Sequence, residues 1–202
     1  MYREDRSSFW ENIYLDNDAR WDLGGVTPVF DRISEEFNIG RVLFIGCGRG
    51  YDAIMFAKKG FDVTGVDFAD TAINDLKNMC KESNTNVEAL RQDFFNISTK
   101  YYGKYDYVIE QTCFCAINPR RRKEYERLVF QLLRPNGYLI GLWFPLDKPK
   151  SDGGPPYGVD IEEIENIFSE RWYKEREEFP HDSILARKGR EKLIVFKRQA
   201  QF

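Results

Sequence analysis

Apolar and polar residues fall in alternating blocks along the chain, and the blocks predict strands and helices in turn. Arg41 to Ile45 ends in four consecutive apolar residues, the mark of a strand covered on both faces. From Tyr51 to Lys59, Ala53, Ile54, Phe56 and Ala57 recur at helical spacing. Phe61 to Val66 repeats the strand pattern. Ala69 to Glu82 repeats the helical one, with Ala72, Ile73, Leu76 and Met79 on its inner face. Val87–Arg91 and Tyr105–Glu110 read as the third and fourth strands. Arg121–Leu133 reads as a helix stopped by the turn Arg134-Pro135-Asn136-Gly137, and Tyr138–Phe144 as the fifth strand. A glycine- and proline-rich loop, Pro145 to Gly158, leads to a short helix at Ile161–Phe168. Two charged, alternating segments near Trp172–Phe179 and Glu191–Lys197 suit an antiparallel hairpin at a sheet edge. Ahead of the first strand, the segment to about Ile39 is mostly helical in pattern and carries Trp10 and Trp21.

Strands alternating with helices imply an α/β fold with a doubly wound, mostly parallel sheet, here of seven strands with an antiparallel edge hairpin. No repeat, linker or second domain is visible, so a single domain over residues 1–202 is expected. Ligands in such sheets lie beyond the carboxyl ends of the strands. Those ends carry Gly46, Asp67, Asp93-Phe94 and Glu110-Gln111, which should converge.

The first strand runs into Gly46-Cys47-Gly48-Arg49-Gly50-Tyr51, and the second ends in Gly65-Val66-Asp67. A strand, glycine turn, helix, strand and acid in that order form a Rossmann-like unit for an adenosine-containing cofactor. Dinucleotide sites use G-x-G-x-x-G, whereas this loop is G-x-G-x-G with Tyr51 at the third dinucleotide position. A small zwitterionic amino-acid tail suits it better than a diphosphate, which points to S-adenosyl-L-methionine with Asp67 accepting from the ribose hydroxyls. Asp93 is a candidate acceptor for the adenine amino group or, more simply, a turn cap. Phe94 is a candidate cover for the base or part of the core.

Composition narrows the field. Hydrophobic residues make up 42% and charged residues 31%, ordinary for a globular protein, and the 15% aromatic content suggests a large interior or an aromatic-lined pocket. A net charge of −3 argues against a broad nucleic-acid or anionic-membrane footprint. The basic run Arg120 to Lys123 reads as a solvated helix face. With a charged, polar start and no apolar stretch of membrane length, a cytoplasmic protein is expected. Cys47, Cys80, Cys113 and Cys115 lack zinc spacing and read as reduced, buried thiols. His181, the single histidine, excludes a multi-histidine metal site, so no metal is expected. The expected partner is a small-molecule acceptor, and the chain is expected to work as a monomer.

Several unusual stretches lie far apart: Trp21-Asp22-Leu23-Gly24-Gly25-Val26-Thr27-Pro28, the glycine loop, and Phe114-Cys115-Ala116-Ile117-Asn118-Pro119. To these add Gly153-Gly154-Pro155-Pro156-Tyr157 with Val159-Asp160, and Ala186-Arg187-Lys188-Gly189-Arg190-Glu191-Lys192-Leu193. On these stretches the chain resembles the thiopurine methyltransferase superfamily of class I methyltransferases, and within it the branch of thiol, thiocyanate and halide methyltransferases. The resemblance implies that Trp10, Trp21, Gly46, Asp67, Asp93 and Phe94 contact the cofactor; Gly48 and Gly50 of the glycine loop and Gln111 at the end of the fourth strand are further cofactor-side candidates. It also implies that residues 1–39 form a helical lid over a core of residues 40–202. Two features depart from the branch: Gln111 stands where a tyrosine is expected, and Trp10 and Trp21 are farther apart than in plant members.

The expected reaction moves a methyl group in line to a soft nucleophile. Gln111, Tyr157, His181 and Arg187 are the candidates on the acceptor side. A small-molecule O- or N-methyltransferase would need a positioned base, for which Glu110 or His181 is the available group. A non-enzymatic S-adenosylmethionine-binding module is a further alternative. An NAD-dependent oxidoreductase is disfavoured by Tyr51.

Overall fold

In a computed structural model, residues 2–200 are described, and the strands and helices follow the order that the hydrophobic pattern predicts. The chain divides into two compact units, the first ending at Ile97 and the second beginning at Ser98.

The first unit holds α1 (Ser7–Leu15), α2 (Pro28–Glu36), β1 (Arg41–Ile45), α3 (Tyr51–Lys58), β2 (Asp62–Asp67), α4 (Asp70–Glu82) and β3 (Glu88–Arg91). Its N-terminal segment is less helical than expected. Between α1 and α2 the chain is irregular, because Asp16-Asn17-Asp18 ends one helix and Gly24-Gly25 cannot start another. Asn17 and Gly24 both take positive φ there, 53° and 68°. Pro28 then opens α2 at the first helical position, where its missing N–H costs nothing. β1 pairs in parallel with β2, and β2 with β3. Ile45 stands opposite Val66 and Asp67 opposite Arg91, so Gly46, Asp67 and Gln92-Asp93 follow side by side at the carboxyl edge.

The second unit holds β4 (Tyr105–Gln111), α5 (Arg122–Leu132), β5 (Leu133–Trp143), α6 (Ile161–Ile167), β6 (Trp172–Glu178) and β7 (Lys192–Arg198). β4 and β5 are parallel, β7 runs antiparallel to β5, and β6 antiparallel to β7, which is the expected edge hairpin. The predicted turn at 134–137 lies inside β5. Tyr105 faces Leu133 and Tyr107 faces Tyr138, so the four intervening residues bulge out, with Asn136 at φ 64°. The core of this unit is aromatic. Phe114 meets Trp143 edge-on at 5.0 Å, and Phe168 stacks on Phe196 at 5.1 Å. Among the described residues, the seven strands belong to one mostly parallel sheet, the class I methyltransferase architecture.

One reading is overturned. Arg120 and Lys123 are exposed as a solvated face requires, but Arg122 is buried. Its Nη1 donates to Glu163 at 2.7 Å, its Nη2 to the Gly158 carbonyl at 3.0 Å, and its guanidinium covers the Phe114 ring at 4.5 Å. Tertiary partners far along the chain give this cation a place inside. Cys47 is half-buried and Cys80, Cys113 and Cys115 are buried, with no disulfide among them. Among the described residues no helix is long and apolar enough to cross a membrane, and no group of three or more His, Cys, Asp or Glu side chains is placed to hold a metal ion.

Candidate functional site

In the first unit the site grows from the turn after β1. Gly46, Gly48 and Gly50 have φ of 62°, 54° and 83°, so the loop coils in a conformation that L side chains rarely adopt. Gly50 is held most strictly, since a Cβ there would overlap the Leu76 side chain of α4. The Gly50 carbonyl accepts the Ile54 N–H at 2.9 Å and so starts α3 directly from the loop.

Asp67, at the end of β2, faces this loop. One carboxylate oxygen accepts the Gly48 N–H and the other the Ala69 N–H, each at 3.0 Å. Burial pushes the carboxyl above the usual carboxylate range, while the Ala69, Gly48 and Phe68 N–H groups pull it back. A carboxylate has about four acceptor positions, so these backbone donors leave capacity for a hydroxyl. Glycine backbone without side chains beside a half-buried acceptor suits the amino-acid tail and ribose of S-adenosylmethionine.

The N-terminal segment packs beside the loop. Trp10 and Trp21 meet edge to face at 5.4 Å, and Tyr14 and Trp21 at 5.6 Å. These rings pack with Ala69 and Ala72 around the buried Tyr14. Trp10 donates its indole N–H to the Glu4 carbonyl at 2.9 Å, and Trp21 donates to the Tyr14 hydroxyl at 3.3 Å. That hydroxyl lies 3.2 Å from where a Cβ on Gly48 would stand. Sequence reasoning missed Tyr14. The available signal was its spacing of four from Trp10, one turn along the same helical face. Carboxylates fasten the segment down. Glu11 accepts from the Thr71 N–H and hydroxyl at 3.0 and 2.6 Å, and Asp52 from the Thr27 N–H and hydroxyl at 2.7 and 2.8 Å.

Asp93 serves as a cap. Its carboxylate accepts from the Phe95 N–H and the Asn96 amide, both at 3.0 Å, and starts the 3-10 turn Phe94–Asn96. Phe94 lies 4.3 Å from Phe95, ring to ring, and is partly exposed.

The second unit gathers other candidates. Gln111 ends β4 opposite Leu142, half-buried, and Thr112 turns the chain with φ 57°. Glu110 is fully committed within the fold. One oxygen accepts the Cys113 and Phe114 N–H groups at 3.0 and 2.9 Å, and the other the Tyr125 hydroxyl at 2.6 Å. Burial raises its pKa to about 7, against the pull of Tyr125 and the two N–H groups. Tyr157 donates its N–H to the Cys115 carbonyl at 2.7 Å, and its ring lies over Gly154, where a Cβ would overlap it.

Arg187 is buried, with its guanidinium 5.0 Å from the Phe144 ring centroid and 3.9 Å from Glu191. Burial, and next the Glu110 charge, push the Cys115 thiol up to about 12, with Arg187 and Arg122 opposing them. The structure thus brings Arg187, Phe144, Cys115 and Tyr157 into one neighbourhood. His181 is exposed on the loop between β6 and β7.

A mostly parallel seven-stranded sheet, a G-x-G-x-G turn and an acid ending β2 define a class I methyltransferase. The family model for thiopurine S-methyltransferase matches residues 5–201, and the chain belongs to that family of S-adenosylmethionine-dependent methyltransferases. It is 33% identical to a probable thiol methyltransferase 2 of Arabidopsis thaliana, over 100% of this chain and 90% of that protein. It is 32% identical to thiocyanate methyltransferase 1 of Brassica oleracea, over 94% of this chain and 84% of that protein. In fold it is similar to a structure solved for the conversion of a disulfide bond into a thioacetal group during echinomycin biosynthesis. That likeness has a TM-score of 0.80 at 20% identity and covers 96% of this chain and 93% of the other.

Proposed function

We propose that this enzyme methylates a small soft nucleophile, a thiol, thiocyanate or halide, with the sulfur nucleophiles preferred. The observation that carries the reading is similarity along essentially the whole chain to thiol and thiocyanate methyltransferases. When bound, S-adenosylmethionine supplies an electrophilic methyl group on a sulfonium centre. Asp67 takes the ribose hydroxyls, and the Gly46–Gly50 turn takes the amino-acid tail. Trp10 and Trp21 present aromatic faces that suit a sulfonium and exclude water. Asp93 and Phe94 border the adenine, and Gln111 serves at the end of β4. Residues 1–39 act as the lid of one catalytic domain whose core is 40–202.

On the acceptor side, Arg187 beside the Phe144 ring attracts an anion with little water, and Tyr157 shapes the approach. A thiol must ionise before it reacts. With an ordinary thiol pKa of about 8.5, a buried guanidinium raises the reactive fraction at neutral pH. Thiocyanate and iodide need no base, and orientation in a dry site supplies much of the rate. The commitment of both Glu110 oxygens to Cys113, Phe114 and Tyr125 supports this reading over base-assisted O-methylation. Cysteines without disulfides support a reducing, cytoplasmic setting, and we read the enzyme as a monomer.

The test is release of S-adenosylhomocysteine from S-adenosylmethionine with hydrosulfide, thiophenol, thiocyanate, iodide, a thiopurine and a catechol. Turnover with the soft anions and none with the catechol is expected. Methylation of the catechol alone would overturn the acceptor class. Cofactor binding without any turnover would favour a binding module.

A further inference from the structure

Arg49 stands between Gly48 and Gly50, the two positive-φ residues that set the direction in which it leaves the loop. Its Nε donates to Asp22 at 2.8 Å, and its Nη1 pairs with Asp75 of α4. Its guanidinium carbon lies 5.5 Å from the centre of the Tyr14 ring of α1. The other oxygen of Asp22 accepts the Gly24 N–H at 2.8 Å and closes the turn that carries Trp21 beside Tyr14. One cation therefore ties the glycine loop to the irregular segment between α1 and α2, and to α4.

Lysine cannot reproduce this junction, since a single ammonium lacks the planar fork that meets two carboxylates and an aromatic face together. The three side chains are 23%, 18% and 30% exposed, so water screens the pairs and each adds little to overall stability. Their effect falls instead on the local equilibrium between a seated and a lifted N-terminal segment.

We propose that Arg49 is a positioning residue that couples the glycine loop to the seating of the N-terminal segment. Cofactor affinity then depends on it through Asp22 and Asp75. The inference rests on the reading that this loop holds S-adenosylmethionine, and it adds a conformational linkage to that reading. A ligand that fixes the glycine loop fixes Arg49 and thereby Asp22. By reciprocity, a seated segment strengthens binding at the loop.

The experiment uses the full chain with Arg49→Lys, Arg49→Gln, Asp22→Asn and the Arg49→Gln/Asp22→Asn double variant. Affinity for S-adenosylhomocysteine is measured by calorimetry, KM and kcat with thiocyanate, and tryptic cleavage after Arg20, whose side chain is 86% exposed within the segment. Arg49→Gln and Asp22→Asn should each weaken product binding about tenfold. The double variant should bind no worse than the weaker single one, because both break the same link. Arg49→Lys should fall between. KM for S-adenosylmethionine should rise while kcat at saturation stays within about twofold. Cleavage after Arg20 should accelerate in the variants without ligand, with the melting midpoint unmoved. Additive losses, or wild-type affinity in Arg49→Gln, would overturn the coupling. Unchanged cleavage at Arg20 in Arg49→Gln would overturn it even if cofactor binding failed altogether. Wild-type protein that did not bind S-adenosylhomocysteine would instead sink the cofactor reading.

Discussion

Asp67 shows how a single carboxylate can shape the fold and keep acceptor capacity for a ligand. Its oxygens accept the Gly48 and Ala69 N–H groups, so it shapes the turn that it faces. Replacing Asp67 by Ala should weaken S-adenosylhomocysteine binding about a hundredfold, on the order of 3 kcal/mol, and calorimetric affinity near that of the wild type would remove Asp67 from the site. Glu110 yields a different prediction. Its pKa is raised from 4.5 to about 7, so the folded chain holds a proton that the unfolded chain releases. Its contribution to stability is complete below about pH 4.5 and is lost as pH rises through 7, an integrated loss on the order of 3 kcal/mol. Glu110→Gln keeps an oxygen for the Cys113 and Phe114 N–H groups and does not titrate. Denaturant titrations at several pH values should show wild-type stability falling across that window relative to the variant. Parallel curves would refute the buried titration.

At the scale of elements, the molecule relies on carboxylates reaching between helices. α4 begins after Ala69, which has no side chain to cap it. Glu11 of α1 supplies the missing acceptor at Thr71. Burial raises the Glu11 carboxyl, but the Thr71 hydroxyl and N–H outweigh it and the net shift is downward. Its contribution is therefore present above the unfolded pKa near 4.5 and lost as pH falls through the lowered value. Glu11→Ala should cost about 1 kcal/mol in urea unfolding at neutral pH and much less in acid. An equal cost at both would argue against the cap. The extents of β1, α3 and α4 were legible in the sequence to within a residue, because apolar spacing and glycine stops are local signals. The break between α1 and α2 was less so. It depends on Asp22 and Thr27 finding Arg49 and Asp52, which lie more than twenty residues away.

For the whole molecule, the soft-acceptor reading makes a prediction about pH. With thiocyanate, the rate should stay flat between about pH 6 and 9, since the acceptor has no proton to lose and Glu110, which titrates near 7, is tied to Cys113, Phe114 and Tyr125 rather than serving as a base. With a thiol it should climb toward a plateau at a pH below the free thiol pKa, because Arg187 favours the thiolate. Arg187→Gln should return that midpoint to the solution value. A thiocyanate profile that rises with pH would reveal a titrating protein group and count against the reading.

The sequence by itself determined the layout. Runs of apolar residues and the 3.6-residue period specify strands and helices locally, and the spacing Gly46, Gly48, Gly50 followed by Asp67 specifies a ligand class, because close backbone approach requires glycine. Only the tertiary structure decided which charges are buried. Arg122 reads as solvated and Arg187 only as an acceptor-side candidate in a linear chain, and both become interior cations because Glu163, Gly158, Glu191 and aromatic rings enclose them. The same holds for Tyr14 and Arg49, whose roles arise from partners brought together by folding. Backbone preference is written residue by residue, whereas the environment of a side chain belongs to the folded molecule.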